Sequence, residues 1–276
     1  MLTRTAEIVT AARAVGGGVG AFNVIQLEHA EALVAGAEQA GAPVVLQISE
    51  NAVKYHGALE PLAQATLAIA RSSATPVAVH LDHATDVALV RHAVQLGFGS
   101  VMYDASVMSY VDNVAATTEV VRHCHERGVY VEAELGEVGG KDGVHAPGAR
   151  TDPAEAAAYV GATGVDALAV AVGTSHAMLT RDATVDFGLI ERLRATVPVP
   201  LVLHGSSGVS DDDLRRAVEA GMTKVNIATQ LNKTFTTAVR MYLEAYPSVV
   251  DTRKYLGAGR DAVTAEVARL LALLGT

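Results

Sequence analysis

Eight times along this chain a short apolar run gives way to a longer stretch with helical periodicity. The runs are GVGAFNV, PVVLQIS, PVAVHLD, SVMYDAS, VYVEAEL, ALAVAVG, PLVLHG and TKVNIAT. The stretches after them begin at LEHAEALVAG, ALEPLAQATL, DVALVRHAVQ, VDNVAATTEV, DPAEAAAYVG, FGLIERLRAT, SDDDLRRAVE and LNKTFTTAVR. Several end at a glycine, as at Gly41, Gly97, Gly128, Gly164 and Gly221, where a left-handed residue stops a helix. Strands alternating with helices imply a parallel sheet, and eight such units predict a closed (β/α)8 TIM barrel. A doubly wound open sheet is the alternative, but it has fewer units and often a dinucleotide fingerprint. GGGVG near residue 16 is a weak version, because no helix start follows it.

MLTRTAEIVTAAR reads as an amphipathic helix before the first strand, and Asp251 to Thr276 as one extra helix after the barrel. No linker or low-complexity tract interrupts the chain, so residues 1–276 are expected to form a single domain. The sixteen residues between Leu135 and Asp152, GEVGGKDGVHAPGART, have no periodicity. A loop that long inside a compact domain is usually functional.

Half of the 276 residues are apolar, mostly Ala and Val, which suits strands buried on both faces. A net charge of −9 without a basic cluster excludes a nucleic-acid partner but is compatible with a phosphorylated substrate. No apolar run approaches the roughly 18 residues that span a bilayer, and the N-terminus has no signal-peptide core. A cytoplasmic protein is expected. The single cysteine, Cys124, rules out an intrachain disulfide and is expected to pack within a helix.

Catalytic groups of a barrel sit at the carboxyl ends of its strands. Here those ends carry Asp82 and His83, Asp104, Glu132 and Glu134, His176, His204, Asn226 and Thr229. Three histidines from different strands, with carboxylates between them, match a catalytic zinc site of three protein ligands and one open position. A lone strand-end histidine would more readily be structural. His29, His92, His123 and His125 are expected on helices, and His56 and His145 on loops. His80 shares a strand face with Asp82, as a supporting partner or a core residue. Adjacent strand residues point opposite ways, so Asp82 and His83 share one ion only if the strand bends. Asp82 is better placed as a general acid/base, or else as the carboxylate that orients a histidine. HGSSG before a helix resembles a phosphate cradle, and NIAT ends the eighth run, where TIM barrels commonly bind phosphate.

AFNV, HLDHA, VMYDAS, VEAELG, AVAVGTSH, LVLHGSSGV, KVNIAT and DTRKYLG together resemble the class II, metal-dependent ketose-bisphosphate aldolases. The resemblance runs in order over nearly the whole chain. It implies reversible cleavage of fructose or tagatose 1,6-bisphosphate to dihydroxyacetone phosphate and glyceraldehyde 3-phosphate through a metal-stabilised enediolate. His83, His176 and His204 become the Zn2+ ligands, with Asp104 and Glu134 at a second or alternative divalent position. Asp82 becomes the group exchanging a proton with the C4 hydroxyl. Asn23, Ala177, Gly205, Ser206, Ser207, Asn226, Ile227, Ala228 and Thr229 match the segments that bind substrate. The family further implies a monovalent cation, Na+ or K+, near the phosphate, and a homodimer or homotetramer.

Three departures from the family pattern stand out. Ala177 replaces the glycine common after the second zinc histidine. Asp142 of GGKDGVH stands at or beside the position of the family's loop Glu, which makes it the candidate second acid. SENAVKYHG replaces a glycine-containing SxGAxKYxG pattern and, with Arg253 and Arg260, bears on the distal half of the substrate. Those two arginines are candidate ligands for the second phosphate, or else surface residues. No lysine stands among the strand-end groups, which weighs against a Schiff-base aldolase, and Lys224 is expected at the wrong end of its strand. Competing expectations are a same-family aldolase for another ketose phosphate, such as 2-deoxy-5-keto-gluconate phosphate; a TIM-barrel zinc hydrolase, whose usual His-x-His pair is replaced here by Phe22 and Asn23; and a non-catalytic assembly subunit.

Overall fold

Each of the eight apolar runs forms a strand, and each strand pairs in parallel with its sequence neighbours. They are β1 (Val19–Asn23), β2 (Val44–Ser49), β3 (Val77–Ala84), β4 (Ser100–Tyr103), β5 (Tyr130–Glu134), β6 (Ala167–Ala169), β7 (Leu201–Leu203) and β8 (Met222–Ile227). Pairing of Ala21 in β1 with both Val45 and Asn226 closes the ring in the order β1 to β8. This computed structural model describes residues 1–135, 150–175, 180–181 and 183–275. The closed ring settles the choice against an open doubly wound sheet.

The helices pack outside: α1 (Thr5–Val15), α2 (Leu27–Ala40), α3 (Glu50–His56), α4 (Glu60–Ser72), α5 (Val87–Leu96), α6 (Tyr110–His125), α7 (Pro153–Thr163), α8 (Phe187–Thr196), α9 (Asp211–Ala220), α10 (Thr229–Ala245) and α11 (Thr252–Leu274). Gly41, Gly97 and Gly164 cap α2, α5 and α7 in the left-handed conformation, as expected. Gly128 is also left-handed, but α6 stops earlier, with Glu126 at its cap. The tail is the extra helix α11. No described helix is long and apolar enough to cross a membrane.

Strand alternation sorts side chains into two layers. Phe22, Leu46, Val79, Leu81, Val131, Leu203 and Val225 face the helices in one continuous core. Ala21, Val45 and Ala78 face inward and meet Ile8 and Ala12 of α1, so the N-terminal helix closes one end of the barrel. Cys124 is buried on α6. The interior then departs from the branched aliphatic filling usual in this fold: His80, Asp82, Glu132, Glu134, Lys224 and Asn226 are all buried.

Two local features differ from expectation. SENAVKYHG is not a loop: Ser49 Oγ accepts from Ala52 N to start α3, and left-handed Gly57 ends it, so His56 is a helical residue. The signal was present as a serine N-cap and a glycine C-cap around seven residues, too short to show periodicity. Strand β3 also runs further than PVAVHLD, and its register with β4 shifts between Leu81 and Ala84.

Candidate active site

The register shift supplies the bend that lets Asp82 and His83 cooperate. His83 has φ of 50°, the one positive value among the described non-glycine residues. Such a backbone costs energy and persists where surrounding structure enforces it, often at functional sites. Its effect is that Asp82, His83 and His204 bring ligand atoms within 4.8 Å of one another.

The two imidazoles meet edge to face, with centroids 4.7 Å apart and His83 Nε2 2.9 Å from His204 Nδ1. Their other nitrogens are held by carboxylates. His83 Nδ1 donates to Asp104 Oδ2 at 2.9 Å, and His204 Nε2 donates to Glu132 Oε1 at 2.9 Å. A carboxylate only accepts, so each ring presents its unprotonated nitrogen to the other. Two facing lone pairs repel unless a cation lies between them, and this donor set therefore fits a divalent metal bound by neutral imidazole. Asp104 and Glu134 form a second cluster with His83, again within 4.8 Å. Glu134 Oε2 also stands 4.0 Å from His204 Nδ1. His176, Ala177, Asp142 and His145 lie outside the described residues.

Asp82 stands beside this centre with both oxygens in neutral company. Asn23 Nδ2 donates to Oδ2 at 3.3 Å, and Asn226 Nδ2 to Oδ1 at 3.4 Å. Gln47 Nε2 in turn fixes Asn23 Oδ1 at 2.8 Å. Among the described residues, no ion pair neutralises the carboxylate. Gln47 escaped the sequence reading because nothing local distinguishes an inward amide from a core position.

Asp82 and His83 open onto a cavity of about 430 Å³. Gly205, Ser206 and Ser207 line it together with Asn226, Ala228, Thr229 and Asn232, as do Ser49 and, from α3, Asn51 and Tyr55. α3 is tied down by Glu50, which accepts from Thr85 N at 2.6 Å, and by His56 Nε2, which donates to Ile25 O at 2.6 Å. The helix that follows HGSSG does not open onto this cavity. α9 is capped by Ser210, its first-turn Asp211, Asp212 and Asp213 are paired with Arg181 and Arg269, Arg215 and Arg216, and none of its residues lines the cavity. The helix start at the cavity is that of α10, whose Ala228 cap offers no side-chain acceptor and whose Gln230 N donates to Ser207 Oγ at 3.2 Å.

Within 226–229, Asn226, Ala228 and Thr229 line the cavity, while Ile227 alternates outward into the core. Arg253 and Arg260 do not line it. Arg253 pairs with Asp251 with its side chain 88% exposed, and Arg260 pairs with Glu31 and Asp261. Lys224 also departs from expectation: its backbone lies early in β8, but the long side chain runs inside the barrel to Glu132 Oε2 at 2.8 Å. His80 donates to or accepts from Ser100 Oγ at 2.8 Å and serves the layer beneath Asp82, with Nε2 4.0 Å from Glu132 Oε2. Burial, then the neighbouring Lys224 ammonium, holds its pKa well below the usual imidazole range.

Comparison with known proteins agrees with this geometry. The family model described as fructose-bisphosphate aldolase class-II matches residues 3–276. The chain is 40% identical over 253 residues to the fructose-bisphosphate aldolase of Geobacillus stearothermophilus, covering 90% of this chain and 88% of that one. The crystal structure of the YdjI aldolase from Escherichia coli K12 superposes with a TM-score of 0.86 at 30% identity, over 100% of this chain and 98% of that one. Fructose-bisphosphate aldolase (Fba) from Campylobacter jejuni shares the fold, with a TM-score of 0.83 at 22% identity over 99% and 95% of the two chains. With a buried carboxylate, paired imidazoles and a turn of small residues around one cavity, the chain belongs to the class II fructose-bisphosphate aldolase family and is a metal-dependent aldehyde-lyase.

Proposed function

We propose that the chain reversibly cleaves a ketose 1,6-bisphosphate, fructose or tagatose, to dihydroxyacetone phosphate and glyceraldehyde 3-phosphate, with zinc held by His83, His176 and His204. The observation that carries this is the Asp82 carboxylate beside the His83–His204 pair, facing a cavity walled by the Gly205–Ser207 turn and the start of α10. When bound, the cation supplies Lewis-acid stabilisation for negative charge that develops as the C3–C4 bond breaks. Asp82 takes the proton from the C4 hydroxyl, while Asn23 and Asn226 hold its two oxygens in place. Gly205, Ser206, Ser207, Ala228 and Thr229 bind the phosphate of the dihydroxyacetone half, beside which a Na+ or K+ ion fits the same reading. Asp142 protonates the C3 carbanion, and Asp104 and Glu134 offer the alternative metal position. Arg253 and Arg260 reach no substrate within their own chain, so any contact with the distal phosphate comes through the homodimer or homotetramer that we also propose.

The Asp82→Ala variant tests the assignment. Purified wild-type protein should hold about one zinc per chain. The variant should keep that zinc and lose about 10²- to 10⁴-fold in cleavage. It should still exchange the C3 proton of dihydroxyacetone phosphate slowly. Unchanged cleavage in the variant removes Asp82 from the mechanism. A panel of ketose mono- and bisphosphates, assayed with the wild type, identifies the sugar.

A further inference from the structure

Beneath the two histidines lies a buried ion pair that the proton transfers do not use. Glu132 is fully buried, with Oε2 2.8 Å from Lys224 Nζ and Oε1 2.9 Å from His204 Nε2. Lys224 is itself 1% exposed. A carboxylate placed alone in such an interior would be costly, and the ammonium compensates its charge. Each Glu132 oxygen thus has a fixed partner, so the side chain has one orientation and the hydrogen-bond acceptor at His204 stays in one place.

We propose that Glu132 is the positioning residue that sets the tautomer of His204, with Lys224 as its counter-charge. The inference rests on the reading of His204 as a metal ligand. Glu132 accepts the hydrogen of Nε2, which leaves Nδ1 unprotonated and turned toward His83 Nε2, 2.9 Å away. The Asn226 amide nitrogen also stands 3.1 Å from Nε2, but it is a donor facing a donor there, and its hydrogens serve Asp82 Oδ1. In the opposite tautomer the Nδ1 hydrogen would point into the metal position, and His204 could not ligate through that nitrogen. The pair therefore governs metal retention from below the site, without touching substrate.

Two measurements on the zinc-loaded full-length protein test this. In nitrogen-15 NMR of the wild type, His204 should show Nε2 carrying hydrogen and a metal-shifted Nδ1; hydrogen on Nδ1 overturns the proposal. In chelator competition, Glu132→Gln should weaken zinc binding by about 10- to 100-fold, because an amide can present N–H to Nε2 and favour the wrong tautomer. Since Glu132→Gln leaves Lys224 buried without its partner, the charge-balanced Glu132→Gln/Lys224→Met variant is measured beside it and should show the same loss. Folded variants that bind zinc within about threefold of the wild type overturn the role of Glu132, whose effect would then be confined to stability. A wild type that holds no zinc overturns the metal reading itself.

Discussion

Adding one methyl group at Gly205 should damage this protein in two separable ways. Gly205 has φ of 66° and ψ of 21°, and a Cβ there would sit 2.6 Å from the Ser175 carbonyl carbon and oxygen and 2.9 Å from its nitrogen. The left-handed backbone costs an L-residue about 1–2 kcal/mol. The contact is with backbone, which cannot rotate away, and overpacking of this kind costs about a further 1–3 kcal/mol. Gly41 makes the control. Its φ is 62° and ψ 28°, yet a Cβ there meets nothing within 4 Å. Gly205→Ala should therefore lose more stability than Gly41→Ala by the contact contribution alone, about 1–3 kcal/mol, in equilibrium denaturant unfolding. If the turn shifts to relieve the contact instead, the Ser206 and Ser207 wall moves with it. The KM for dihydroxyacetone phosphate in the condensation direction then rises, while zinc content stays unchanged. Equal destabilisation by the two substitutions, together with an unchanged KM, would refute the reasoning.

Two further predictions concern titrating groups away from the metal centre. His29 is buried against Phe235, with centroids 5.0 Å apart, and burial lowers its pKa from 6.5 to about 4, against a smaller opposing effect of Glu28. Between those values the unfolded chain binds a proton that the folded one refuses, so this stability is present above pH 6.5 and is lost as the pH falls toward 4. The loss approaches about 3 kcal/mol. Denaturant unfolding at pH 7 and pH 4.5 should show a steeper decline in the wild type than in His29→Leu; identical slopes would refute it. Cys124 is buried and its thiol pKa is pushed up to about 11, chiefly by burial. Disulfide-exchange reagents at pH 8 should therefore label it only after unfolding. Labelling of the folded protein at the rate of a free thiol would show the helix packing to be wrong.

What the amino-acid sequence determined here is what short-range patterns can encode. Apolar runs of strand length, helical periodicity between them and glycines at helix ends are local signals, and they specified eight strands, the extra helix and the closed-barrel topology. They also placed Asp82, His83 and His204 at strand ends, because position along a strand can be counted. Direction and partnership could not be counted. Alternation set Asp82 and His83 on opposite faces, and the left-handed turn at His83 that reunites them arises from a register shift against β4. The wall of the cavity likewise depended on tertiary structure. GSSG leads in sequence to α9, but no residue of α9 lines the cavity, and β8 brings the start of α10 there instead. Glu132 and Lys224 lie 92 positions apart, and only ring closure brings the ammonium beneath the histidines. Side chains that meet across the interior of a closed barrel leave no periodic trace along the chain.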